Sequence, residues 1–264
     1  NAHTTQIIFE GNREPQSSFV YTDLSTLFPG YTFVNGKSLY RGEDPSEGGY
    51  VYAQQGIWRD IVVLDVASMH PSSIEALNLF GDYYTKRFSE IKQARVYIKH
   101  KEFDKAREML DGKLAPYLDN PDDAKSVADA LKTAINSVYG LTSAGFTNPF
   151  KDPRNKDNIV AKRGALFMID LKHEVQDRGY SVVHIKTDSI KIANADPDII
   201  KFVMDYGTKW GYTFEHESTY DRMCLVNDAV YIAKYADAEW CEKKYGYIPG
   251  NNVKDGGAWT ATGT

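Results

Sequence analysis

The sequence is short of cysteine, of net positive charge and of long apolar runs. Cys224 and Cys241 are the two cysteines in 264 residues, too few for a disulfide framework, and no histidine stands at zinc-ligand spacing from them. Two reduced structural thiols are the expectation. No stretch of about 18 apolar residues occurs, so no membrane-spanning helix is predicted. The first residues, Asn1-Ala2-His3-Thr4-Thr5, have neither a basic nor an apolar region, which argues against a signal peptide. The missing initiator Met predicts a fragment or a processed product. No internal repeat or low-complexity segment is present. Lys and Arg number 31 against 36 Asp and Glu, for a net charge of −5. That balance does not support a uniformly basic nucleic-acid binder, but it leaves room for a local basic face. Residues 86 to 107 supply one, with Lys86, Arg87, Lys92, Arg95, Lys99, Lys101, Lys105 and Arg107. A solvated helix face is the simpler account of such a run.

What is present is an ordinary globular composition, 42% apolar and 25% charged, enough for a proper core. Residues 1 to 47 are rich in turn signals, including Pro29-Gly30 and Asn35-Gly36, and predict an irregular approach with short strands. Residues 58 to 67, WRDIVVLDVA, are β-branched and apolar and predict a buried strand ending at Asp65. A helix is expected to begin near Pro71. Two more follow over 82 to 113, with Gly112 as a stop. Asn120 and Pro121 mark the start of another, running to about Tyr139 and stopping at Gly140. Residues 147 to 157 read as a polar loop and 158 to 178 as a helix. Residues 180 to 186 and 189 to 193 read as a hairpin turning at Thr187-Asp188. An amphipathic helix over Asp196 to about Trp210 precedes strand-rich segments at 212 to 217 and 222 to 235. The order predicts an α+β fold with an antiparallel sheet, not a doubly wound parallel one. The helical excursion over 73 to 178 is expected to project as a subdomain.

Two aspartates stand out by position. Asp65 ends an apolar strand, where an unpaired acid is costly. Asp188 sits in a hairpin turn, where Asp is also common for purely local reasons. If the strands are neighbours, two carboxylates meet at one sheet edge and repel unless a cation lies between them. Hard oxygen ligands beside phosphates favour Mg²⁺, and a pair of such ions serves in-line phosphoryl transfer. On the helix after Pro121, Lys132 and Asn136 share a face with Tyr139 one turn on. A cation, an amide and an aromatic ring on one stripe suit a nucleotide. Arg95 and Lys99 repeat the four-residue spacing and offer phosphate contacts. By spacing alone, solvated faces remain the alternative.

Three segments carry a resemblance. Asp65-Val66-Ala67-Ser68-Met69-His70-Pro71-Ser72 resembles motif A of family B DNA polymerases, D-x-x-S-L-Y-P-S. Lys132-Thr133-Ala134-Ile135-Asn136-Ser137-Val138-Tyr139-Gly140 resembles motif B, K-x-x-x-N-S-x-Y-G, at every fixed position. Lys186-Thr187-Asp188-Ser189 resembles motif C, D-T-D-S. They occur in the family's order, and Gly48-Gly49 looks like the glycine pair that often precedes motif A. With their surroundings they cover residues 48 to about 235.

The resemblance, to the phage-type members above all, implies a palm made of an antiparallel sheet with helices on one side, and a helical fingers subdomain. It divides the chain into residues 1–72 (first part of the palm with its approach), 73–140 (fingers), 141–235 (palm with motif C) and 236–264 (a tail towards a thumb). Asp65 and Asp188 would be catalytic metal ligands, together with the backbone of Val66, holding two Mg²⁺ ions or Mn²⁺. Ser68, Met69 and His70 would line the triphosphate. Arg95, Lys99, Lys132 and Asn136 would grip the incoming deoxynucleoside triphosphate, and Tyr139 and Gly140 would pack on the nascent base pair. Gly140, Lys234 and Tyr235 would contact primer–template DNA. The implied reaction is attack of a primer 3′-hydroxyl on the α-phosphate with loss of pyrophosphate. A viral enzyme of this kind would work in the bacterial cytoplasm.

Three departures are visible. Lys186 replaces the first Asp of motif C, His70 replaces the motif A tyrosine that discriminates against ribose, and Ala233 replaces the lysine of the family's K-x-Y. No D-x-E exonuclease motif precedes Asp65, and the ending from Gly256 to Thr264 reads as a loop. Exonuclease, N-terminal and thumb regions are therefore expected as partners elsewhere. The motif spacing leaves no obvious room for the insertions of protein-primed relatives, which predicts a nucleic-acid primer. The alternatives are a non-catalytic fragment or subunit that binds DNA or nucleotide or assembles with the remaining polymerase pieces, and a different palm enzyme, such as a reverse transcriptase or cyclase, in which a full motif B is not expected.

Overall fold

The computed structural model describes residues 2–12, 14–249 and 258–262. The fold is α+β, as the element order predicts, and divides into two compact units that do not follow chain order. One comprises residues 1–27 and 70–160, the other 28–69 and 161–264.

The first unit is helical. It contains α1 (Ala2–Phe9), most of α2 (Met69–Ala76), α3 (Gly81–Lys99), α4 (Phe103–Glu108) and α5 (Pro121–Ser143). Asn120 caps α5 by accepting from the backbone N–H of Asp122 at 2.8 Å, with Pro121 in the first turn, where its missing N–H costs nothing. Its buried stripe of Ala124, Leu131, Ile135, Val138 and Leu141 follows helical periodicity. The C-terminal end of α3 (Arg95, Ile98, Lys99) meets the N-terminal end of α5 (Pro121, Ala124, Lys125) around one cavity, so the two helices run antiparallel. Two expectations are corrected. Gly140 does not stop α5, which continues to Ser143; an exposed glycine weakens a helix by roughly 1 kcal/mol without breaking its hydrogen bonds. The approach segment is not wholly irregular, because α1 brings Phe9 into an aromatic core. The Phe9 ring lies 4.6 Å from Phe150, 5.1 Å from Tyr84 and 5.6 Å from Phe80. Burying that ring draws the first residues into the helical unit.

The second unit is built on an antiparallel sheet. Its strands are β3 (Val51–Ala53), β4 (Gly56–Val66), β5 (Ser181–Lys186), β6 (Ser189–Ala193), β7 (Phe214–Leu225), β8 (Tyr231–Tyr235) and β9 (Trp259–Thr262), in spatial order β3-β5-β6-β4-β7-β8-β9. A separate hairpin of β1 (Thr32–Val34) and β2 (Lys37–Leu39) turns on Asn35 and Gly36, both at positive φ, the Asn-Gly signature of a tight hairpin. The helices are α6 (Ile159–Asp177, starting in the first unit), α7 (Pro197–Lys209, capped by Asp196) and α8 (Ala238–Tyr245). β7 is one continuous strand where two segments were expected, because pairing with β4 and β8 on its two sides carries it through its polar residues. Trp259–Thr262, expected as loop, pairs with β8 as β9; the neighbouring residues 256, 257, 263 and 264 lie outside the described residues.

The second half of β4 is buried on both faces. Ile61 and Val63 join Val183, Tyr220, Met223 and Tyr235 in one apolar cluster, and Asp65 follows them on the same face by the two-residue period. Among the described residues no helix is long and apolar enough to cross a membrane.

Candidate active site

Asp65 and Asp188 are brought together. Central strand β4 pairs with β6 so that Asp65 lies opposite Ser189, the residue after Asp188. The two-residue turn between β5 and β6 is pinned on both sides. The N–H of Val66 donates to the carbonyl of Asp188 at 2.8 Å, and the N–H of Thr187 donates to the carbonyl of Tyr50 at 2.9 Å. Thr187 has a φ of +55°, an outlier for a β-branched residue that persists only where the surroundings enforce it. Gly49 has a clear reason to be glycine, since a Cβ there would sit 2.6 Å from the Thr187 hydroxyl.

A cavity of about 390 Å³ opens at this edge, lined by Asp65, Asp188, Glu217, Lys186, Lys191 and His184 among others. Burial raises the Asp65 carboxyl above its ordinary range. A hydrogen bond from Ser189 opposes the rise, and the charges of Asp188 and Glu217 add to it. Its Oδ1 is buried without a hydrogen-bond partner. Asp188 keeps solvent exposure in its turn, yet the partial burial of its carboxyl raises it too. Among the described residues no cluster of three or more acidic, histidine or cysteine side chains is assembled for a metal. The donor set is this carboxylate pair with nearby backbone oxygens. An orphaned carboxylate oxygen beside a second carboxylate fits a hard cation.

The turn is braced from behind. Glu43 accepts from Lys172 at 2.6 Å, from the Tyr50 hydroxyl, and lies 3.3 Å from His173. Lys172 is buried and also donates to the Tyr50 hydroxyl at 2.7 Å. Burial alone would raise Glu43, but the hydrogen bonds from Lys172 and Tyr50 outweigh it and hold the carboxyl low. Glu43→Gln leaves the Lys172 ammonium buried without its counter-charge. A loss of about 2–3 kcal/mol is expected in chemical denaturation, less than for a fully buried pair because Glu43 keeps some solvent contact.

The motif A residues straddle the division between the units. Ser68 is exposed with φ at +51°, turning strand into helix. Met69 is buried in the second unit, packed where a Cβ on Gly164 would strike its sulfur at 2.7 Å. His70 begins the first unit's share of α2. Its ring stacks on Tyr139 at 4.0 Å with planes 12° apart, its Nδ1 is buried without a partner, and burial lowers its pKa.

On α5, Lys132 and Asn136 are exposed and Tyr139 is half-buried. They continue a stripe that includes Lys125 and Asp129. Arg95 and Lys99 line a cavity of about 370 Å³ with Lys101, Lys125 and Asp129. Gly140 is exposed with open space where a side chain would stand. In the second unit, Lys234 and Tyr235 lie apart from the carboxylate cavity. The Lys234 ammonium is 5.6 Å from the centre of the Trp259 ring, and Tyr235 is turned inward against Tyr220 at 5.3 Å.

Sequence reasoning missed Lys191, His184, Glu217 and Lys125. The signal for Lys191 was available, since alternation along Ser189-Ile190-Lys191-Ile192-Ala193 puts Lys191 on the face of Ser189, opposite Asp65. Lys125 stands seven residues before Lys132, two helical turns back on one stripe. Glu217 and His184 had no local signal, because register with other strands places them.

No protein-family model matches the sequence, and no curated protein matches it. Among solved structures the chain is similar to the family B DNA polymerase of the hyperthermophilic archaeon Pyrobaculum calidifontis, at 15% sequence identity and a TM-score of 0.49. The match covers 70% of this chain and 27% of that polymerase, so the chain spans about a quarter of its length.

Proposed function

We propose that this chain is the palm-and-fingers core of a template-directed DNA polymerase of the family B type. The observation that carries the reading is the pinned meeting of Asp65 and Asp188, with an orphaned carboxylate oxygen between two strand ends. These two residues come from separate motifs that resemble one family in order. The side chains of Asp65 and Asp188 and the backbone of Val66 would hold Mg²⁺, or Mn²⁺. Such ions, when bound, lower the pKa of an attacking hydroxyl and stabilise charge on the leaving oxygen. Arg95, Lys99, Lys132 and Asn136 are assigned to the triphosphate of an incoming deoxynucleotide, and Tyr139 and Gly140 to the new base pair. Base choice then rests on pairing with a template, not on side-chain readout.

The test is primer extension by the chain on short DNA templates with Mg²⁺. Addition of the nucleotide complementary to each template base supports the reading. Template-independent addition would sink it. No extension by a folded chain, also after exonuclease and thumb regions are supplied, favours a non-catalytic scaffold.

The ring stack makes a second expectation. His70 stands where the family has a ribose-discriminating tyrosine, and its position is held by Tyr139. Sugar selection should persist in the parent. His70→Ala removes the ring and its stack, and the preference for deoxyribose over ribose in kcat/KM should fall by about 10- to 100-fold, the range for opening a small pocket. Single-nucleotide insertion kinetics with paired deoxy and ribo substrates checks it.

A further inference from the structure

The cavity at Asp65 and Asp188 contains a fixed cation. Lys191 is only 5% exposed and projects from β6 onto the face that carries Asp65. Its ammonium is 3.3 Å from His184 Nδ1. The other ring nitrogen of His184 lies 2.8 Å from the carbonyl of Asp228 and must donate to it. That bond leaves Nδ1 with a lone pair, so His184 is a neutral acceptor aimed at Lys191. Burial, with the Lys191 charge beside it, pushes the His184 pKa down to about 4, which keeps the ring neutral. The Tyr231 ring adds a second attraction, its centre 5.1 Å from the Lys191 nitrogen. A long flexible side chain is thus held at one place by two partners on other strands. The charge of Lys191 acts on both Asp65 and Asp188.

We propose that Lys191 is a positioning residue that sets the affinity of the Asp65–Asp188 pair for divalent cations, holding it low while no nucleotide is bound. The inference rests on the reading of that pair as a divalent-ion site. Its reason is electrostatic. Burial lowers the Lys191 pKa to about 8, which leaves the ammonium mostly charged at neutral pH. A positive charge fixed within a partly buried carboxylate cavity repels an arriving dication and offsets charge that would otherwise attract it. Lys186, on the same cavity, has the same sign but is exposed and better screened. An ion that binds weakly by itself then depends on the triphosphate for its remaining ligands.

The experiment is a Mn²⁺ titration of the nucleotide-free chain, with free Mn²⁺ read by electron paramagnetic resonance. Lys191→Gln keeps a donor for His184 Nδ1 and removes the charge. It should bind Mn²⁺ more tightly by about tenfold or more, the order expected for one charge at several ångströms in such a site. Lys191→Arg keeps the charge and should bind like the parent. If Lys191→Gln does not fold by thermal melting, Lys191→Met takes its place, since a methionine fills the same buried path. Unchanged or weaker Mn²⁺ binding in the folded neutral variant overturns the proposal. Asp65→Asn with Asp188→Asn separates the two levels. If that double variant still binds Mn²⁺ like the parent, the carboxylate-pair reading fails and the proposal falls with it. If it loses Mn²⁺ while Lys191→Gln binds as the parent does, the proposal alone fails.

Discussion

Asp188→Asn should lower primer extension by about 10³-fold or more, and Asp65→Asn by a similar factor. The expectation follows from what each substitution removes. Asparagine is nearly isosteric, so the turn keeps its two backbone hydrogen bonds, Val66 N–H to Asp188 and Thr187 N–H to Tyr50. What disappears is one negative charge from a cavity with few acidic groups. A metal's charge stabilisation in the transition state is worth several kcal/mol, and each 1.36 kcal/mol is about tenfold in rate. Losing half of the carboxylate pair forfeits most of that. Each variant should melt at or slightly above the parent temperature, because burial disfavours the charge that is removed. Single-turnover extension and a thermal melt, run on the same preparations, check both halves. A variant that melts normally and extends normally would show that the pair does not carry the chemistry.

The second large effect concerns the helical unit. Gly81→Ala should destabilise it by about 3–4 kcal/mol, from roughly 1–2 for a left-handed alanine and 1–3 for overpacking. Gly81 has φ at +83°, and an added Cβ would stand 2.4 Å from the backbone carbonyl oxygen of Ser18. Neither partner can give way easily. Ser18 is tied by its hydroxyl to the carbonyls of Pro15 and Phe80, and Val20 N–H donates to Leu79. The substitution therefore pries residues 15–20 from the start of α3. A fall in melting temperature on the order of 10 °C is expected. Gly140→Ala is the contrasting case. It lies inside α5 with open space around it, so alanine should stabilise the helix by roughly 0.5–1 kcal/mol. If Gly140 packs on DNA, as the resemblance implies, the same variant gains stability and loses extension.

Much of this architecture was legible because it follows from local rules. A β-branched apolar run marks β4, Asn120-Pro121 starts α5, and Asp196 caps α7 through the N–H of Ile199 at 2.9 Å. Errors arose where a local signal was weak against tertiary pairing. A glycine stop at Gly140 was overridden by a helix with a long buried stripe. The Trp259–Thr262 strand is only four residues long and is held in place by pairing with its partner β8. The helix at 2–9 lacks acidic or basic caps, and its place depends on the burial of Phe9.

The sequence by itself determined the α+β class, the apolar strand that carries Asp65, the turn at Asp188 and the shared helical face of Lys132, Asn136 and Tyr139. Each depends on residues near one another in the chain, where periodicity, capping and turn chemistry act. Only the tertiary structure decided that Asp65 lies across from Ser189, that Gly49 must admit Thr187, and that Glu43 and Lys172 brace the turn. It also decided that residues 1–27 cluster with the helices, and that Lys191 and His184 lie against the carboxylates. Those facts rest on strand register and on contacts between residues distant in sequence, and a shift of one residue in register would turn Lys191 to the opposite face.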